Sequence, residues 1–129
     1  MAAYHTLGAV QLPRGMVWSD EFNWTAREAA TEYSLTGALL IDVGMRQAGR
    51  PITLEAEDDA GWIARGVVQA LHTLCDADPD AAHTLTLADG RVFSVQFAPG
   101  DAISAHPISR PELPPSTHPY VATVRLITV

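Results

Sequence analysis

Apolar residues recur along this chain at two different periods. Between Asp58 and Cys75 the period is helical: Ile63, Val67, Ala70, Leu71 and Leu74 fall on one stripe, and Arg65, Gln69 and His72 lie off it. The spacing predicts one amphipathic helix over 58–75. Asp58 and Asp59 offer an N-cap oxygen and negative charge at the positive end of its dipole, and Asp76-Ala77-Asp78-Pro79 is a stop signal. After the helix the period drops to two. His83–Leu87 alternates, Ala88-Asp89-Gly90 is a turn, and Arg91–Phe97 alternates again. A two-residue loop at Asp89-Gly90 would set Phe93 opposite Thr86. A three-residue loop with Gly90 left-handed pairs Leu87 with Arg91 and Leu85 with Phe93, gathering Leu85, Phe93, Val95 and Phe97 on one face. The second register is the expectation, with the helix lying on the sheet that contains this hairpin.

The same alternation marks further strands. Glu32–Val43 reads as one long strand with Tyr33, Leu35, Gly37, Leu39, Ile41 and Val43 on one face; Ala38 and Leu40 on the other suggest that it is covered on both sides. A turn at Gly44–Gly49 leads to a short strand over Arg50–Glu55, which Pro51 places at an edge or a strand start. Ile103 centres another short strand over Asp101–Pro107. Arg110–Pro119 holds four prolines and is expected to be irregular. Tyr120–Val129 alternates to the last residue, so Val129 is expected to be tied into a sheet. At the other end, Met1–Pro13 reads as an arm or an edge strand, with residues 1–17 as the arm's outer limit. Arg14–Thr25 sets Met16, Trp18, Phe22 and Trp24 among polar residues, too much aromatic area to leave in water. It completes the core or forms a contact with another subunit.

The expected class is therefore α+β, mainly β, with about six or seven strands and one α-helix. At 129 residues the chain is read as a single domain, 1–129. Fifteen acidic against eight basic residues give a net charge of −7, and every basic side chain is arginine. Such a balance argues against gripping a phosphate backbone. Cys75 is a lone cysteine beside the helical stripe, expected to be a small buried hydrophobe whose pKa is raised by Asp76 and Asp78. No stretch has the form of a secretory leader or the length of a membrane span.

Reactive chemistry is sparse. Gly44–Gly49 followed by Arg50-Pro51 imitates a phosphate loop, yet arginine stands for the lysine, proline for the hydroxyl, and a strand follows instead of a helix. Asp76, Asp78 and Asp80 begin like a calcium loop, but Ala81 and Leu87 occupy the positions that require glycine and glutamate. His5, His72, His83, His106 and His118 are scattered, with no metal-ligand spacing. Glu55, Glu57, Asp58 and Asp59 read as a solvated run. No catalytic residue, cofactor or metal is expected, and the chain reads as a non-enzyme.

The order of elements resembles the small tail-tip proteins of long-tailed bacteriophages and prophages, the distal tail protein and its tail-tube relatives. The stretches that carry the resemblance are Tyr33–Ile41, Ala48–Leu54, Trp62 opening the helix, the hairpin His83–Phe97, and His118-Pro-Tyr120 leading to the final strand, together about Trp18–Val129. The resemblance implies a β-sandwich or partly closed barrel flanked by one α-helix (a tail-tube-like fold), and a structural subunit of a virion's tail tip or baseplate, assembled in the bacterial cytoplasm. Copies would form a ring, commonly a hexamer, that ends the tail tube and joins it to hub or fibre proteins, with tape-measure protein and tube as neighbours. Trp18, Phe22, Trp24, Arg46, Arg50, His118 and Tyr120 would be subunit contacts, as would the 110–119 segment. The net negative charge would let DNA pass without adhering. Two other readings compete: a small cytoplasmic peptide- or ligand-binding module, and a hydrolase with a site assembled from scattered His, Asp and Ser residues.

Overall fold

A computed structural model describes residues 4–57, 60–77, 80–109 and 111–129. In chain order it holds β1 (Tyr4–Leu7), β2 (Val10–Pro13), β3 (Val17–Trp18), β4 (Arg27–Tyr33), β5 (Leu39–Met45), β6 (Pro51–Glu55), β7 (Ile63–Ala64), α1 (Arg65–Ala77), β8 (His83–Thr86), β9 (Val92–Phe97), β10 (Ile103–Pro107) and β11 (Pro119–Thr128). The architecture is mainly β with one helix. An antiparallel sheet of nine strands runs β2-β1-β8-β9-β11-β6-β3, with β7 and β10 also on β11. It does not close into a barrel. The β4–β5 ribbon forms a separate two-stranded sheet.

The C-terminal strand is the hub. One edge of β11 pairs with β6 through residues 123–127 and with β7 at Pro119 and Tyr120. The other pairs with β10 through residues 120–124 and with β9 at residues 126–128. Its alternation decides its placement: Ala122, Val124 and Leu126 are buried, and together with Leu7, Leu12, Met16, Ile52, Leu54, Leu71, Leu85 and Val95 they form the core. Val129 is tied in, its N–H donating to the Ser94 carbonyl at 3.0 Å. Pro51 starts β6, where its missing N–H removes least from the ladder.

The 83–97 hairpin adopts the three-residue-loop register. Leu85 faces Phe93, the Leu87 N–H donates to the Arg91 carbonyl at 2.8 Å, and Gly90 has φ +100°. Residues 4–13 form a hairpin whose β2 is the sheet edge, with Leu7 and Leu12 fully buried.

Two expectations are corrected. The helix starts at Arg65, seven residues after Asp58. Upstream of it the chain must pass Gly15: Gly61 has φ +78°, and a Cβ on it would stand 2.6 Å from the Gly15 carbonyl oxygen. Ile63 and Ala64 then pair with β11 as a strand, so the buried helical face is set by Val68 and Leu71, and Ala70 is exposed. Carbonyls of His118 and Ser116 accept the first helical N–H groups, from Arg65 and Gly66, at 2.9 Å each. The expected caps Asp58 and Asp59, and the stop at Asp78-Pro79, lie outside the described residues. Cys75 is half-buried; burial first, and then the Asp76 carboxylate, push its thiol pKa up.

The second correction concerns 32–43. No single covered strand exists there. The chain reverses at 34–38, so that the residues expected on one strand's face lie on both arms of the exposed β4–β5 ribbon.

Candidate functional site: an amphipathic ribbon on an arginine–tryptophan base

The reversal is built by its own sequence. The Ser34 N–H donates to the Ala38 carbonyl (2.8 Å), the Gly37 N–H to the Ser34 carbonyl (2.9 Å), and the Ala38 N–H to Ser34 Oγ (3.1 Å). Gly37 sits at φ +87°, where a side chain is disfavoured. The two arms pair in seven rungs, and directly opposed residues share a face. One face carries Ala29 opposite Val43, Thr31 opposite Ile41, Tyr33 opposite Leu39, and, at the base, Met45 opposite Arg27. The other carries Glu28, Glu32 and Asp42 with Ala30, Leu40 and Gly44. The ribbon is thus amphipathic, yet all fourteen of its strand residues are exposed. Tyr33 at 74 %, Ile41 at 53 %, Val43 at 56 % and Met45 at 66 % show that none of the described residues covers the apolar face.

At the ribbon's base, arginines and tryptophans alternate. The Arg91 guanidinium lies 5.3 Å and that of Arg50 4.5 Å from the centre of the Trp18 ring. Arg50 is also 5.9 Å from Trp24, which Arg46 approaches at 5.8 Å. These contacts span the hairpin loop, the 18–24 segment and the strand that leaves the ribbon, so they hold three distant parts of the chain together. Further bonds reinforce them. Arg50 Nη2 donates to the Glu21 carbonyl at 2.7 Å, and Asp20 accepts from the Thr53 N–H (2.9 Å) and hydroxyl (2.8 Å). Arg91 bridges Glu21 and Asp89. Hydrogen bonding by Arg91 holds the Asp89 carboxyl below the ordinary aspartate range and raises Arg91 itself.

Beside this base lies a cavity of about 590 Å³. It lies over the buried Met16, Leu54 and Leu87, beside Trp18, and its charged lining is mixed: Arg14 and Arg91 with Glu21 and Asp89. His5 fixes one side: its Nε2 donates to the Met16 carbonyl (3.0 Å) and its Nδ1 accepts from the Ala88 N–H (2.9 Å). The Trp18 Nε1 and Arg50 Nε atoms are buried without a hydrogen-bond partner.

Of the seven residues named as contacts, Trp18, Trp24, Arg46 and Arg50 come together in this base. Trp18 also packs edge-on against Phe93 at 5.5 Å, so core completion and surface contact divide the aromatic segment between them. Phe22 stands 89 % exposed. His118 and Tyr120 lie elsewhere, edge-on to each other at 5.9 Å beside the helix start. Sequence reading missed Arg91, Glu21 and His5 in this role. The concentration of positive charge in arginine was the available signal for the first, since arginine stacks on aromatic faces as lysine does less well.

For the competing hydrolase reading, Ser109 Oγ lies 3.4 Å from His118 Nε2, a long and exposed contact away from the cavity. Among the described residues, no three His, Cys, Asp or Glu side chains converge as a metal site, and no helix is long and apolar enough to cross a membrane. No family model, curated protein or solved structure matches the chain.

Proposed function

We propose that this chain is a non-catalytic structural subunit that assembles with copies of itself into a ring, of the kind that ends the tail tube of a long-tailed bacteriophage at the tail tip or baseplate. The observation that carries the reading is the apolar face of the β4–β5 ribbon. An isolated two-stranded hairpin is marginal in water, and one that exposes Tyr33, Leu39, Ile41, Val43 and Met45 together is a surface for another molecule. The rigid base beneath it fits a projecting arm whose direction matters. Hub, tube and tape-measure proteins are the partners this role implies, with DNA passing through the ring without adhering to a lumen of net negative charge.

The test is size in solution over a concentration series, with electron microscopy of the largest species. Closed rings in the unmodified protein, lost in an Ile41→Glu, Val43→Glu double variant that keeps its far-UV spectrum, are the expected result. A protein that stays a single protomer at every concentration, with tube, hub and tape-measure proteins present, would end the reading. The cavity favours a second reading, a peptide- or ligand-binding module; it predicts saturable binding by a protomer that never assembles.

A further inference from the structure

We infer that the open edge of β5 pairs antiparallel with the same edge of a second copy, about a two-fold axis at Ile41, so that two ribbons become one four-stranded sheet. At the ribbon's tip the Ser34 N–H donates to the Ala38 carbonyl, and at its base the Arg46 N–H donates to the Ala26 carbonyl. Carried along the rungs between them, this alternation turns the amides of Leu40, Asp42 and Gly44 towards β4. The N–H and carbonyl groups of Leu39, Ile41 and Val43 therefore point out of the ribbon, where none of the described strands pairs with them. A sheet of three or more strands with an apolar face is stable where a lone hairpin is marginal.

Other edges are blunted. β2 and β10 end on Pro13 and Pro107, β3 has two residues, and β4 carries Arg27, Glu28 and Glu32. β5 runs for seven residues with no proline, and Asp42 is its only charge. Charge also selects the partner strand. Asp42 lies opposite Ala30 and so diagonal to Glu28 and Glu32 of its own chain. A second copy's β4 in the same register would set another pair of glutamates on its other side, whereas a second β5 does not. With Ile41 opposite Ile41, Leu39 faces Val43 and Leu40 faces Asp42, so the apolar face continues across both ribbons and no like charges are opposed. Moving the axis to Asp42 sets the two Asp42 carboxylates against each other. Moving it to Val43 places Leu39 opposite Gln47, past the end of β5, and moving it to Leu40 shortens the ladder to residues 39–41. A two-fold contact closes on itself: alone it makes a dimer, and beside the contacts of a ring it ties two rings together.

The test is amide exchange over a concentration series, with cross-linking in a Cys75→Ser background. In dilute protein the Leu40 and Asp42 amides are expected to be protected and those of Leu39, Ile41 and Val43 to exchange freely; as the dimer forms, the second set is expected to slow severalfold. Ile41→Cys is expected to give a disulfide-linked dimer under mild oxidation, since paired Cα atoms there stand about 5.5 Å apart. Leu39→Cys and Val43→Cys are expected to cross-link only when mixed. Rings whose Leu39, Ile41 and Val43 amides still exchange freely would overturn this contact and leave assembly intact. Protection that spreads to the Ala29 and Thr31 amides, with no Ile41→Cys cross-link, would assign the edge to a second copy's β4 and overturn the two-fold pairing. Protomers at every concentration, with no cross-link, would overturn both it and the ring.

Discussion

Tyr33 faces Leu39 across the last rung of the β4–β5 ribbon, and both side chains stand in solvent. In a two-stranded sheet such a pair stabilises only locally, by roughly 0.2–1 kcal/mol. The ribbon therefore depends on its turn. Gly37→Ala places a Cβ in open space but at φ +87°, so its penalty is conformational, about 1 kcal/mol or more. Hydrogen exchange is expected to quicken in amides 29–43 while the nine-stranded sheet keeps its protection. Uniform loss of protection would show that the ribbon is coupled to the body.

Gly61→Ala is expected to behave very differently. A Cβ there would meet backbone atoms of Gly15 and Met16 at 2.6–3.0 Å, and backbone cannot rotate aside as a side chain can. Added to the strain of a positive φ, the loss should exceed about 2 kcal/mol, visible as a lower urea midpoint. A midpoint within error of the parent would mean that the two segments separate freely.

Arg50 contacts both tryptophans and the Glu21 carbonyl. Arg50→Lys retains the charge but not the planar stacking, and should forfeit about 1–2 kcal/mol. Tryptophan emission should shift to the red as Trp18 and Trp24 loosen. Emission unchanged in both Arg50→Lys and Arg50→Ala would show the stack to be incidental.

Asp89 gives a pH dependence of definite sign. Arg91 donates to its carboxylate from Nε (2.8 Å) and from the backbone N–H (3.1 Å), holding its pKa below the ordinary value. A carboxyl depressed in the folded state favours folding above the unfolded pKa, and that advantage disappears as pH falls through the folded one. Asp89→Asn should therefore lower stability near neutrality and converge with the parent in acid, which flattens the acid limb. Urea midpoints from neutral to acid pH measure it; parallel acid limbs for parent and variant would refute the assignment.

The parts of this fold that the sequence makes legible are those in which only one arrangement buries the apolar residues. Leu85 and Phe93 can share a face only through a three-residue loop, and Ala122, Val124 and Leu126 alternate strictly into the core. The ribbon was hidden by parity. Tyr33 and Leu39 are six residues apart, an even number, so period-two alternation continues unbroken whether the chain runs on or doubles back. Only Ser34 and Gly37 mark the reversal. Alternation also cannot say whose atoms cover an apolar face, which is why 32–43 read as a buried strand. The helix start failed for another reason: the acidic pair at 58–59 mimics a cap, while the Gly15–Gly61 crossing joins segments forty-six residues apart. The stack of arginines on Trp18 and Trp24 is likewise a meeting of distant segments, with no local spacing to announce it.

His5 joins three such segments and offers the sharpest stability test of the cavity's wall. With Nε2 donating to the Met16 carbonyl and Nδ1 accepting from the Ala88 N–H, the ring must be the neutral Nε2–H tautomer, because an imidazolium has no lone pair for Ala88. His5→Ala would leave a partly buried carbonyl and a partly buried N–H unpaired, at about 1–3 kcal/mol each before water repairs either. His5→Gln can restore a donor and an acceptor, though on a longer and more flexible stem, and should recover part of the loss. The Ala88 amide reports on this directly. Its exchange is expected to accelerate in His5→Ala by more than the global change in stability, and to be partly slowed again in His5→Gln. If Ala88 exchanges in step with the whole sheet in every variant, His5 is one packing residue among others and the wall stands without it.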